Sequence, residues 1–366
     1  MELAEFVGLR PIPCAGLLVT LTRRCPLSCA HCSTSSTMAG EQPSAEQLSR
    51  FVGSFTAADR PDVMLLTGGE PLLLPGLVRE LTLRARAVGT RVMLLSGMFF
   101  ARDGRIPSAV LRAVSVVDHF SASLDAQHER EVPRRGVFQV MRQVLDAGIA
   151  VSFHLTGTGP EDPYLADVTA DIRRTFADRV PMLVNEVRAV GRAASLSLAT
   201  ATATATAQRL DAARVLPCAM AAWPTVAFDG AVLACCNQNA VDHRPVPPHL
   251  SLGHIADDDW ATVRHRSLSS PMLRMVRTVG PVHLRDRYAP APHESGYCVE
   301  CRGLSTNPDV VAGAARDASG PVGELLDREA ARMQADAGPV ALLRRYGCAQ
   351  YADLVALPAG PERPSR

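Results

Sequence analysis

From about residue 15 to 215 the chain alternates short apolar runs with amphipathic stretches, a rhythm that few folds accept. "GLLVTL" (16–21), "DVMLLTG" (62–68), "RVMLLSG" (91–97), "VDHFSASLD" (117–125), "IAVSFHLTG" (149–157) and "PMLVNEV" (181–187) have the length and aliphatic content of buried strands. A helical pattern follows each: one with Ser44 as its N-cap, then 75–88, 107–115, 136–148, 163–178 and 192–214. Six strand–helix units predict a parallel sheet, because parallel neighbours need crossovers and these are right-handed. Six units are too few to close an eight-stranded barrel, so the expected fold is α/β, a partial (β/α)6 TIM-like barrel. Such folds place their chemistry at the C-terminal strand ends. The polar motifs fall there: cysteines after the first strand, "TGGEP" after the second, "SG" after the third, "SLD" ending the fourth and "NEVRAVGR" ending the sixth.

At 366 residues the chain exceeds one such domain, and the rhythm changes after 215. The expected division is an N-terminal extension (1–14), the barrel (15–215), a small cysteine-rich module (216–310) and a helical tail (311–366), its Pro-rich end frayed. "LATATATATA" (198–207) reads as a linker or a poor surface helix. A hydrophobic fraction of 47% supports a sizeable core, and a net charge of +1 argues against nucleic acid as a partner. All the basic charge is arginine, since the sequence has no lysine. The N-terminus lacks the basic-then-apolar pattern of a signal peptide, and no apolar run reaches membrane-spanning length. A cytoplasmic, membrane-free protein is expected, in which close cysteine spacings point to metal or redox sites before disulfides.

In "TRRCPLSCAHCSTSS" (22–36), Cys25, Cys29 and Cys32 stand at C-x3-C-x2-C spacing. Three thiols without an adjacent fourth suit an iron–sulfur cluster with one open iron. They also suit a structural zinc site, were Cys14 to close it. His31 is expected to point away from such a centre. A second set, Cys218, Cys235, Cys236, Cys298 and Cys301, lies in the C-terminal module within "FDGAVLACC" and "YCVECRG" and before them. On spacing alone a closed four-cysteine site there could hold zinc. His119 and His154 read as structural, and Arg134 and Arg135 as solvated. Asp125 alone would suit a helix cap, and Glu186 with Arg188 an ion pair at the rim.

C-x3-C-x2-C after the first strand of a (β/α)6 series resembles the signature of radical S-adenosylmethionine (SAM) enzymes. "TGGEP" (67–71) resembles that family's GGE motif, "SASLD" (121–125) its fourth-strand ribose segment, and "NEVRAVGRA" (185–193) its sixth-strand segment. The resemblance spans residues 15–195. It implies a [4Fe–4S] cluster on Cys25, Cys29 and Cys32 whose open iron chelates SAM, with His31 beside the adenine. It also implies that Gly68, Gly69 and Glu70 accept the methionine ammonium, while Ser123 and Asp125 meet ribose or substrate. Ser96, Glu186 and Arg188 are further candidates on this rim. The second cysteine set resembles the auxiliary-cluster module called twitch, the smaller relative of SPASM. One auxiliary [4Fe–4S] cluster on Cys218, Cys235, Cys298 and Cys301 is then expected, with Cys236 as an alternative to Cys235.

The activity this implies is reductive cleavage of SAM to a 5′-deoxyadenosyl radical, which takes hydrogen from a substrate C–H bond. Oxidation of a small polar natural-product intermediate (a sugar, aminocyclitol or nucleoside) is the preferred outcome, as in the twitch-bearing aminocyclitol dehydrogenases. Asp125, Glu186 or His154 would take the proton. Epimerisation through a spare thiol (Cys14, Cys236 or Cys348) and maturation of a ribosomally made peptide are the alternatives, and a degenerate zinc scaffold is the non-enzymatic one. Only 24 residues precede Cys25, fewer than a leader-binding domain needs, which favours a small molecule over a peptide. A flavodoxin- or ferredoxin-type electron donor is the expected protein partner.

Overall fold

The computed structural model describes residues 1–195, 215–290 and 296–357. Its six expected strands are β1 (Gly16–Thr20), β2 (Val63–Thr67), β3 (Arg91–Ser96), β4 (His119–Leu124), β5 (Ala150–Gly157) and β6 (Met182–Glu186). Each pairs in parallel with the next, from Gly16 opposite Val63 to Gly157 opposite Glu186. The intervening helices are α2 (Ala45–Gly53), α3 (Pro75–Ala87), α4 (Ser108–Val114), α5 (Arg134–Asp146) and α6 (Pro163–Phe176), close to the expected spans; α1 (Leu3–Gly8) precedes the first strand. Ser44 caps α2 as expected, its side chain accepting from the Gln47 amide, and Asp162 caps α6 through the Tyr164 amide. Outside the sheet the helices bury one face. Phe138 on α5, Phe153 on β5 and Phe176 on α6 meet with ring centroids 5.5–5.6 Å apart.

The sheet does not end with the six units. β7 (Thr225–Val226) pairs in parallel with β1, and β8 (Ala231–Leu233) and β9 (Ser251–His254) continue it antiparallel. The strand order is β6-β5-β4-β3-β2-β1-β7-β8-β9. β7 has its parallel partner β1 near the start of the chain, so that pairing leaves no local trace in sequence, whereas β8 pairs with its neighbours β7 and β9. β9 lies in a Pro/His-rich stretch of the cysteine-rich module. The edge at β6 is covered: the Cys348 amide donates to the Val184 carbonyl (2.8 Å), so the tail occupies hydrogen-bonding positions an exposed edge would offer to another chain.

Side chains from every strand, β1 to β6, line one cavity of about 570 Å³, so the sheet curls around it as a partial barrel. The lining alternates along the strands, with Leu18 and Thr20, Leu65 and Thr67, His154 and Thr156, and Leu183 and Asn185 pointing inward. Phe6 and Val7 of α1 join Leu342 and Leu343 of the helix Gly338–Tyr346, with Trp223 beside them, in one apolar cluster that closes the barrel's floor. The tail was expected to be helical, and it is, over Pro308–Ala318, Gly320–Asp336 and Gly338–Tyr346. Of the helix expected over 192–214, Gly191–Ser195 forms a short 3-10 turn; the remainder, with "LATATATATA", lies outside the described residues, as do residues beyond 357. No helix among the described residues is long and apolar enough to cross a membrane.

Candidate functional site

The loop after β1 is held from two sides. From β2, the Gly69 amide donates to the Thr22 carbonyl (2.6 Å) and the Glu70 amide to the Arg24 carbonyl (2.9 Å). A Cβ on Gly68, where φ is +146°, would stand 2.4 Å from the Thr22 carbonyl oxygen, and one on Gly69 would stand 2.4 Å from that of Arg24. Glycine is therefore required at both positions for the two loops to touch. From β6, Arg192 donates its Nε to the Cys29 carbonyl (2.9 Å), its Nη1 to that of Ser36 (2.6 Å) and its backbone amide to that of Cys32 (2.9 Å). Gly191, at φ +56°, lies where a Cβ would come within 2.3 Å of the Ser33 carbonyl oxygen. The cysteine loop is thus clamped by the two motifs that accompany it in sequence.

Cys25, Cys29 and Cys32 all face the cavity, together with His31, Gly68, Gly69, Ser96, Ser123, Glu186 and Arg188. Burial pushes the Cys25 thiol up to about 12, with the neighbouring acid and thiols adding to the effect. Cys32 is lowered instead: burial would raise it, but its hydrogen bonds with Thr34 and Ser36 and the nearby Arg192 cation outweigh that. A bound cation would favour the thiolate form at all three positions. The Cys14 alternative fails on topology. Cys14 lies before β1 and its thiol meets Ser267, whereas the other three follow β1, about 17 Å away along a five-residue strand.

Two candidates are placed differently from their neighbours. The Glu70 carboxylate is buried and accepts from the Leu72 amide (2.9 Å), the Gly97 amide (2.9 Å) and Ser96 Oγ (3.0 Å). It is not part of the cavity wall, so its side chain braces the β2 and β3 loops, and burial raises it to about 7. Asp125 is also buried behind the wall. It accepts from the amides of Gln127 (2.8 Å) and His128 (3.0 Å), lies 3.2 Å from His31 Nε2, and bonds His128 Nδ1. Its partners hold it far below the usual carboxylate range despite burial. Burial alone would lower His128, but its hydrogen bonds to Asp125 and Cys29 raise it to about 10, an imidazolium beside the cysteines. The sequence analysis missed His128; His31, which the resemblance places beside the adenine, lines the cavity and also meets Asp125.

Ser123 and Glu186 sit on the wall, and burial together with the nearby Glu186 carboxylate raises the Cys348 thiol. Arg188 donates to the Tyr346 carbonyl (2.6 Å) rather than to Glu186, so the expected rim ion pair does not form. His119 is structural, its ring bonded to the Met1 carbonyl (2.9 Å) and Ser152 Oγ (2.7 Å). His154 is not merely packing: it lines the cavity against Asn185 (2.6 Å), and burial lowers it to about 4. Arg134, expected to be solvated, ties Glu129 (2.8 Å), Asp167 (2.7 Å) and Asp171 (3.2 Å) together behind the site.

The second cysteine set is one group. Burial is the chief cause pushing up Cys218, Cys235, Cys298 and Cys301; Cys218 and Cys298 add to Cys301, Cys301 and Cys218 to Cys235, Cys298 to Cys218, and Cys236 to Cys218, Cys235 and Cys298. None of the ten cysteines is in a disulfide. A group of buried thiols drawn together from three segments suits a cluster. Cys235 packs inward, whereas Cys236 faces the cavity and takes a hydrogen bond from Arg10 Nη2 (2.9 Å). Arg10, Trp223 and Thr225 also line this wall and carried no signal in the sequence.

Residues 19–172 match the profile of the Radical SAM superfamily. Over 134 residues the chain is 33% identical to the PqqA peptide cyclase of Rhizobium meliloti (strain 1021), which covers 36% of this chain and 34% of that protein's length. Its fold is similar to that of Streptococcus suis SuiB bound to its precursor peptide SuiA, with a TM-score of 0.52 and 11% identity over 82% of this chain and 74% of SuiB. BtrN, solved in complex with AdoMet and 2-DOIA, aligns over 72% of this chain and 87% of its own at 15% identity and a TM-score of 0.42.

Proposed function

With residues 19–172 a radical SAM domain, we propose that this chain is a radical SAM enzyme that removes hydrogen from a C–H bond of a substrate seated in the barrel cavity. The family binds SAM and a [4Fe–4S] cluster. The carrying observation is that Cys25, Cys29 and Cys32 open onto the same cavity that Cys236 reaches from the second set. Cys25, Cys29 and Cys32 are assigned to the first cluster, and Cys218, Cys235, Cys298 and Cys301 to an auxiliary one. When bound, the first cluster with SAM supplies a carbon radical able to take hydrogen, and the second an electron acceptor.

The chain's own residues do the rest. The Gly68–Gly69 backbone borders the space beside the cysteines and offers acceptors for an ammonium, while Glu70 fixes that loop from behind. Asp125 positions His31 and His128 rather than touching substrate, because its oxygens are committed to them and to two amides. That leaves Glu186 and the neutral His154 as wall groups able to hold the proton released on oxidation. The curved wall would hold the reacting carbon in place.

Oxidation of a small polar molecule is the preferred outcome. The second reading, peptide modification, is favoured by the identity to PqqA peptide cyclase and the likeness to peptide-bound SuiB. Incubation of the reconstituted protein with SAM, reductant and candidate substrates in D2O separates them. A small-molecule product lighter by two hydrogens supports oxidation. Deuterium uptake without net oxidation points to epimerisation, and a cross-linked peptide product moves the assignment to the second reading.

A further inference from the structure

The cavity wall holds a cation with an unpaired donor. Arg10, which follows α1, is 9% exposed and lines the cavity. Its guanidinium carbon stands 4.7 Å from the Trp223 ring centroid, and Nη2 donates to the Met220 carbonyl (3.2 Å) and Cys236 Sγ (2.9 Å). Nη1 is buried and has no hydrogen-bond partner. No carboxylate lies within 4.0 Å of Arg10 among the described residues, so the cation is buried without an acid. Two residues along from Trp223, Thr225 is 4% exposed, lines the same wall and has an orphaned Oγ1.

Buried donors left unpaired carry a desolvation penalty, and an unneutralised cation a larger one. Folds keep such groups where a ligand completes them. We propose that Arg10 and Thr225 form a subsite for a carboxylate of the substrate. Nη1 offers two N–H donors and Thr225 one hydroxyl, donors that the two oxygens of a carboxylate can accept. Cys236 occupies Nη2, which leaves Nη1 for the ligand, and the Trp223 ring holds the guanidinium plane. The subsite rests on the assignment of this cavity as the reaction chamber. It makes the substrate an acid: a sugar acid, an amino acid or an acidic residue of a peptide.

The test is calorimetric titration of the reconstituted full chain with sodium propanoate, and with propanamide as the uncharged isostere, at fixed ionic strength. Saturable propanoate binding in the millimolar range or tighter, absent with propanamide and weakened about tenfold or more in Arg10→Gln, supports the subsite. No saturable binding, equal response to propanamide, or unchanged binding in Arg10→Gln overturns it. Should Arg10→Gln fail to fold, Thr225→Val carries the test, with a weakening of about threefold or more expected and unchanged binding overturning the subsite. Formation of 5′-deoxyadenosine from SAM, followed in parallel, keeps the two claims apart: its absence counts against the radical assignment, while propanoate binding decides the subsite.

Discussion

At Gly191 the backbone is left-handed and a Cβ would enter the Ser33 carbonyl. Gly191→Ala is therefore expected to cost about 2 kcal/mol or more and to lower iron content after reconstitution, read by urea midpoint and iron assay. His119 sets a pH window. Burial holds its folded value near 4 against 6.5 unfolded, so the imidazole is neutral in the fold. Its contribution is fully present above 6.5 and is lost as pH falls toward 4, because the unfolded chain then binds a proton the fold refuses. The loss is about 3 kcal/mol. His119→Gln should flatten the urea-midpoint profile across that window, and an unchanged slope would contradict the assignment. At this scale the cysteines and the two glycines of "TGGEP" were legible in sequence because each is a residue type with few substitutes. Arg10 and Thr225 were not, since an orphaned donor exists only once its surroundings are built.

Between elements, the decisive contact is the turn after β6 laid over the loop after β1. Arg192 spans three carbonyls of that loop, and its sequence signal was only a motif ending in Gly-Arg-Ala. Arg192→Ala should leave the fold standing, with a loss of about 1–2 kcal/mol, yet release iron faster under chelator. Equal release rates would show that the clamp is unnecessary. Strand and helix spans were legible because period and capping are local, as at Ser44. The pairing of β7 with β1 was not, because two-residue strands have no period to read.

Across the whole molecule, the C-terminal segments close what the six units leave open. The tail covers the β6 edge, and with α1 it seals the floor. Arg277 on the helix Pro271–Thr278 and Asp327 on Gly320–Asp336 form a doubly hydrogen-bonded buried pair at 2.7 and 2.9 Å that fastens this layer. Arg277→Ala would strand a buried carboxylate and should destabilise the protein by about 3 kcal/mol or more in urea unfolding. The second cysteine set draws on three separate segments, so its assembly depends on this layer. In sequence the set could be counted, but nothing there could show that Cys236, rather than Cys235, turns to the cavity.

The division between an open three-cysteine site and a closed four-cysteine site is tested most directly by iron and zinc content after anaerobic reconstitution. Wild type should carry about eight irons per chain, and about four in a variant with Cys25, Cys29 and Cys32 all changed to Ala. A colourless wild-type protein holding stoichiometric zinc would contradict it.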